Sequence, residues 1–238
     1  MTYIVLVAGQ GKNLQPLTLS HPKTLYKLDD KTTVLQRLVR SIRKCDKDAE
    51  IVVVVGFMYK HIQKELEDDN VLFVHNPFYS VTSSMGSLWF AKGYLQRENV
   101  TIINGDIVMS DKLVYDIICS HTDVPYVLLD STKTDANKYN VQVQGELVCV
   151  MSKNLTEYKG NYASVVKLDA VSSRFLLEQL SQMVNEEMYN LFFEDALVQM
   201  IFQKNFELYH KDIKDYQWTE VDNVDDLLKA RQIQSESK

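Results

Sequence analysis

The sequence predicts an α/β fold with a mixed, mainly parallel central sheet, helices on both faces and a small antiparallel subregion. Three observations lead there. A continuously apolar, β-branched-rich run at residues 3–8 is stopped by Gly9, the pattern of a strand buried on both faces of a parallel sheet. Runs of this kind then alternate with helical spacing through the first 120 residues. Beyond residue 120 the apolar runs are short and closely spaced, with Gly145 at a hairpin turn between two of them.

The elements follow in order. Residues 33–44 put Val34, Leu35, Leu38, Val39 and Ile42 on one side of a helix. Residues 51–55 form a second buried strand, ended by Gly56. A helix at 59–66, a strand at 71–74 and a helix at 87–95 come next. The strand at 100–103 ends in Asn104-Gly105-Asp106. In the second half, residues 126–130, 141–143, 147–151 and 163–168 read as strands, and 172–187 and 194–203 as helices. Residues 206–210 and 218–221 are short strand candidates. A closing helix spans 224–232, with Asp222 or Asn223 placed to cap it. No repeat, low-complexity tract or linker interrupts the chain, so one domain over residues 1–238 is expected.

Bulk composition excludes several functions. The chain has 238 residues, 45% hydrophobic and 24% charged, an ordinary globular profile with enough length for a sizeable core. Its net charge of −6 makes it a poor binder of nucleic acid, which needs clustered Lys and Arg. Phosphates would have to be held in a local basic pocket. Cys45, Cys119 and Cys149 are far apart and form no C-x-x-C pair, so neither a disulfide framework nor a Cys-based zinc site is expected. The apolar run near the N-terminus is too short for a signal peptide or membrane span and lacks a basic flank. A cytoplasmic protein with no membrane partner is expected.

The chemistry begins at Gly9-Gln10-Gly11, directly after the first strand. Glycines there let backbone N–H groups approach and cradle phosphate oxygens. The dinucleotide fingerprint fails, because Leu14 stands where its third glycine would be. The P-loop signature fails too, because Gly11-Lys12 is followed by Asn13. A strand-ending turn without function would explain two glycines alone. The longer pattern A-G-x-G-x-x-L-x-P-L-T followed by Pro22-Lys23, with Gly105-Asp106 after the fourth strand, Lys153 at the end of a later strand and Trp218-Thr219-Glu220-Val221-Asp222 before the last helix, spans nearly the whole chain. It resembles the sugar-phosphate and phosphocholine nucleotidyltransferase superfamily. The short C-terminal part, with Asn76-Pro77-Phe78-Tyr79 leading to Ser87-Leu88-Trp89, looks most like its small cytidylyltransferases, which act on phosphocholine or 2-aminoethylphosphonate.

The resemblance implies a Rossmann-like fold with a nucleotide-binding half (1–120) and an acceptor-binding half (121–238). It implies an enzyme that moves a nucleoside monophosphate, with CTP the favoured donor, onto a small phosphorylated or phosphonate acceptor. Lys23 and Lys153 are then the catalytic lysines, the first at the reacting phosphates and the second on the acceptor phosphate. Leu6, Ala8, Gly9, Gly11, Lys12, Asn13, Ser84, Gly86, Ser87 and Gly105 fall on the nucleotide side. Tyr162, Tyr189, Phe193 and Glu194 fall on the acceptor side, where rings and a carboxylate suit an ammonium group. Asp106 and Asp222, with Glu220 close behind, are the implied ligands of Mg2+, which takes oxygen donors and is held by one or two carboxylates plus substrate phosphates. Residue type alone leaves plainer readings open: a turn residue for Asp106, a helix cap for Asp222 or Ser84, solvated lysines, and rings in the core.

One position departs from the pattern: Asn13 stands where the family carries an arginine. Lys12 beside it is a point charge without the planar fork. A catalytically silent nucleotide-binding or regulatory module is therefore the rival from another class. A hexose-1-phosphate uridylyl-, thymidylyl- or guanylyltransferase is the rival within the family. A glycosyltransferase would want a D-x-D motif, which Asp106-Ile107-Val108 does not supply. A homodimer is left open.

Overall fold

The computed structural model describes residues 1–11, 17–135 and 138–237. The expectations on Lys12 and Asn13 lie outside the described residues. The first half runs β1 (Thr2–Val7), α1 (Val34–Cys45), β2 (Glu50–Val55), α2 (Tyr59–Glu65), β3 (Leu72–His75), α3 (Ser84–Phe90), β4 (Asn99–Asn104), β5 (Ile107–Met109) and α4 (Asp111–Leu113), which continues as a π turn, Val114–Ile118. The second half runs β6 (Tyr126–Asp130), β7 (Asn140–Gln144), β8 (Leu147–Ser152), β9 (Gly160–Asp169), α5 (Ala170–Asn185), α6 (Phe193–Lys204), β10 (Tyr209–Asp212), β11 (Trp218–Glu220) and α7 (Val224–Glu236).

Local chemistry explains where the helices start. Thr33 and Gln36 form a reciprocal capping box at α1. The Asp169 carboxylate accepts from the N–H groups of Val171 and Ser172, so α5 begins two residues before the apolar spacing suggests. Asn223, not Asp222, caps α7, by accepting from the Asp226 N–H. That leaves the Asp222 carboxylate free of the capping role. The helix expected at 87–95 is split into α3 and a 3-10 turn, Lys92–Gln96.

Nine strands form one sheet in the order β3-β2-β1-β4-β9-β6-β10-β8-β7, and β7 also pairs with β9. The four strands from β3 to β4 are parallel, as are β6 and β10. β9 lies antiparallel between β4 and β6, so the sheet is mixed through its middle rather than mainly parallel. Its first nine residues are all buried. A strand buried on both faces carries no mark of its direction in its composition, which is why the sequence overstates parallel pairing.

Alternation along β1 divides the core. Tyr3, Val5 and Val7 pack with α1, α2 and the π turn on one face. Ile4 and Leu6 pack with α3, α5 and α6 on the other. A smaller cluster joins Ala230 and Ile233 of α7 to Val108 and Val221. Among the described residues, no helix is long and apolar enough to cross a membrane.

Candidate active site

The site forms where β1 and β4 end, the side on which open α/β sheets bind ligands. Gly105 lets the two strand ends close together: its N–H donates to Leu6 O at 3.0 Å, and a Cβ there would collide with Val7. Asp106 follows at once. Gly11 takes a left-handed φ of 61°, and Thr18 Oγ1 donates to its carbonyl at 2.8 Å. β5 and β11 then pair as a short antiparallel ladder, with Glu220 opposite Ile107. One further bond, Val221 N–H to Asp106 O at 3.0 Å, brings Glu220 and Asp222 beside Asp106. Lys23 enters from the 3-10 turn Lys23–Leu25, which begins just after Pro22.

These side chains form a chain of alternating charge. Lys23 Nζ pairs with Asp106 and donates to Asp222 Oδ1 at 2.9 Å. Lys138 pairs with the other Asp222 oxygen and lies 3.3 Å from Glu220 Oε2. Ser164 donates its hydroxyl to Glu220 Oε1. Burial alone would lower the Lys23 ammonium, but Asp106 and Asp222 outweigh it and hold it above the ordinary lysine range. Burial would raise the Asp222 carboxyl, but the two lysines bring it down to about 2. Glu220 is pushed up, first by burial and then by Asp106, against Lys138 and Ser164.

Two cavities meet at this chain of charges. One, about 340 Å³, is lined by Leu6, Ala8, Gly9, Gly11 and the hydroxyl-bearing Ser83, Ser84 and Ser87. Buried Asn76 holds its far wall, donating to Thr82 and Ser87 at 3.0 Å each and accepting from Phe78 N–H. The second, about 430 Å³, is lined by Tyr139, Lys153, Tyr162, Ser164, Glu194, Glu220 and Asp222. Lys23, Asn104, Asp106 and Phe192 line both. In the second cavity Asp106 Oδ1 and Glu194 Oε2 are buried without a hydrogen-bond partner, and the buried Tyr162 hydroxyl lies beside Glu194. Unpartnered buried polar atoms are rare, and two on one cavity mark a place for a ligand. Burial, followed by Asp195 and Glu220, pushes Glu194 up to about 8 against its backbone N–H and Lys153. Lys153 lies just past β8, exposed, with its Nζ 4.7 Å from the Phe192 ring and 5.8 Å from that of Tyr139.

Some expected residues fall elsewhere. Phe193 is core, 1% exposed, because it is the first residue of α6; Phe192, the residue before the helix, turns into the cleft instead. Tyr189 is 41% exposed and lines neither cavity, but its carbonyl accepts from Ser83 N–H. Gly86 lines neither cavity either and packs against Thr82, where a Cβ would collide. Glu220 has both oxygens engaged by Lys138 and Ser164, as Asp222 has by Lys23 and Lys138, and among the described residues no cluster of three His, Cys, Asp or Glu side chains forms a metal site. Lys138, Tyr139 and Ser164 also line the second cavity and are not among the residues the sequence singles out. Strand alternation could have found Ser164, two residues from Tyr162. Lys138 sits in a polar loop that carries no pattern.

A family model for the MobA-like NTP transferase domain matches residues 3–161. The chain is 27% identical, over 68% of its length, to the Drosophila melanogaster mannose-1-phosphate guanylyltransferase catalytic subunit beta, and spans only 44% of that protein. It is 23% identical to the CTP:phosphoglutamine cytidylyltransferase of Campylobacter jejuni, over 95% of this chain and 98% of that one. The solved CTP:phosphocholine cytidylyltransferase of Streptococcus pneumoniae superimposes with a TM-score of 0.79 at 19% identity, covering 98% of both chains, and so shares the fold. With Gly9–Gly11, Asp106 and Lys23 gathered at one cleft in this fold, and the family model matching residues 3–161, the chain belongs to the MobA-like NTP transferase domain family and is a nucleotidyltransferase.

Proposed function

We propose that the chain transfers CMP from CTP to a small acceptor bearing a phosphate or phosphonate and a cationic group. The observation that carries this reading is the meeting of two cavities at Lys23 and Asp106. Full-length similarity to a cytidylyltransferase supports CTP as the donor. One domain of 1–238 residues, with the nucleotide held by 1–120 and the acceptor by 121–238, fits a sheet that runs across both halves.

The first cavity takes the nucleotide, with the Gly9–Gly11 backbone on the phosphates and the serine hydroxyls on base and ribose. The second takes the acceptor. Lys153 turns from the Phe192 and Tyr139 rings to bind its phosphate, and those rings with Glu194 then face its cationic end. An acceptor oxygen attacks the α-phosphorus; the bond from that phosphorus to the oxygen bridging the α- and β-phosphates breaks, and pyrophosphate leaves with the electron pair. Lys23, at the junction, offsets the charge that builds on the α-phosphoryl oxygens. Lys138 and Ser164 hold Glu220 in place, and Lys138 also steadies Asp222. Asp106 and Asp222 would hold Mg2+: both are hard oxygen donors on Lys23, Asp106 Oδ1 is buried without a partner, and the Asp222 oxygens, now paired with Lys23 and Lys138, would turn to the ion as those lysines take up phosphate. An ion held there would supply charge neutralisation of the triphosphate.

Pyrophosphate release measured over a panel of nucleoside triphosphates and phosphorylated acceptors tests the reading. Turnover is expected with CTP and an amine-bearing phosphate or phosphonate. Preference for UTP, dTTP or GTP with a hexose 1-phosphate would move the chain to the rival transferases. Nucleotide binding without turnover across the panel would make it a regulatory module.

A further inference from the structure

A third cavity, about 270 Å³, adjoins the acceptor pocket, and Asp135, Lys138, Tyr162 and Glu220 line both. Its own lining includes Lys133, Trp218, Asp226 and Lys229. The carboxylates here are engaged. Glu220 is held by Lys138 and Ser164, and Asp226 accepts from Asp222 N–H and lies 3.9 Å from Lys229. Asp135 also has a partner.

Lys133 is different. Among the described residues no carboxylate lies within ion-pair distance of it. Its Nζ sits 3.5 Å above the Trp218 ring and donates once, to Trp218 O at 3.1 Å. An ammonium has three donors; with one on the carbonyl and one facing the ring, one remains for a ligand. Burial lowers its pKa, against the more distant pull of Asp130, Glu220 and Asp226. A half-buried cation of this kind gains from an anion brought beside it. Trp218 fixes the lysine, and its own Nε1 is anchored on Asp130 at 2.8 Å.

We propose that this side chamber is a carboxylate subsite for the acceptor, in which Lys133 receives an anionic group borne at the end away from the acceptor phosphate. This rests on the reading of the neighbouring cavity as the acceptor pocket. The acceptor class narrows accordingly to a phosphate or phosphonate that carries both an amine and a carboxylate.

Phosphoethanolamine and phosphoserine differ by one carboxylate and make the test. Their affinities are measured by calorimetry on the full chain with magnesium and a CTP analogue whose α,β-bridging oxygen is replaced by a methylene group, so that no transfer occurs. Phosphoserine should bind about tenfold or more tightly, the size of one charge-assisted contact. Lys133→Gln should remove that preference and leave phosphoethanolamine unchanged, and Lys133→Arg should keep it. With Trp89→Phe the remaining indole is Trp218, whose fluorescence should respond to phosphoserine and not to phosphoethanolamine. Equal binding of the two, or a preference that survives Lys133→Gln, overturns the subsite and leaves the acceptor pocket standing. Binding of neither, with the CTP analogue still bound, overturns both readings.

Discussion

Glu194 shows what a single buried carboxyl does to stability. It is 4% exposed and holds its proton up to about 8, where an ordinary carboxyl near 4.5 would have released it. Between those values the unfolded chain binds fewer protons than the folded one, so this group lowers stability as pH rises. Glu194→Gln removes this titration. Its melting temperature should therefore gain on the wild type as pH climbs from 4 to 8. A gap that stays constant over this range in a scanning fluorimetry series would contradict the assignment. At this scale the sequence is informative about groups embedded in long motifs. Lys23, Asp106 and Asp222 are framed by proline, glycine and tryptophan, and the fold brings them into one contact set. Lys138 completes the set from a loop, and nothing in a lone lysine marks it.

At the scale of elements, β9 carries an unusual residue. Ser164 takes a left-handed φ of 52° inside the strand, beside the register shift between β9 and β6. A non-glycine residue there costs on the order of 1–2 kcal/mol, and such strain collects at functional sites. The hydroxyl it aims lands on Glu220. Ser164→Ala keeps the strain and loses the bond, whereas Ser164→Gly loses both. Urea titrations should therefore show the glycine variant more stable than the alanine variant by about 1 kcal/mol, while both lose activity. An alanine variant as active as the wild type would sever Ser164 from the site. The long amphipathic and apolar runs made β1, β2, β4, α1 and α6 legible to within a few residues. β5 was not legible, because three apolar residues are too few to show a period; its ladder with β11 is nonetheless what carries Glu220 and Asp222 to Asp106. Strand 206–210 slipped to Tyr209–Asp212, since pairing with β6, not composition, sets its register.

At the scale of the molecule, β9 joins the two halves by pairing with β4 on one side and with β6 and β7 on the other. The segment before α6 is also tied to the start of α3: Ser83 N–H to Tyr189 O, Met85 N–H to Leu191 O, and Phe193 N–H to Ser84 Oγ. Phe192, which lines both cavities, sits on this tie. If the chain is one domain, urea should unfold it in a single transition, coincident by tryptophan fluorescence and circular dichroism. Two separated transitions would contradict the single domain. The central claim is that the two cavities present one donor and one acceptor across Lys23 and Asp106. Its most direct measurement follows CTP labelled at the α-phosphorus, incubated with magnesium and an amine-bearing phosphate acceptor. The label should appear in a CMP–acceptor adduct, one for each pyrophosphate released, with Asp106→Ala slower by a factor on the order of 10²–10³. Label that stays in CTP, or an Asp106→Ala variant as fast as the wild type, would contradict it.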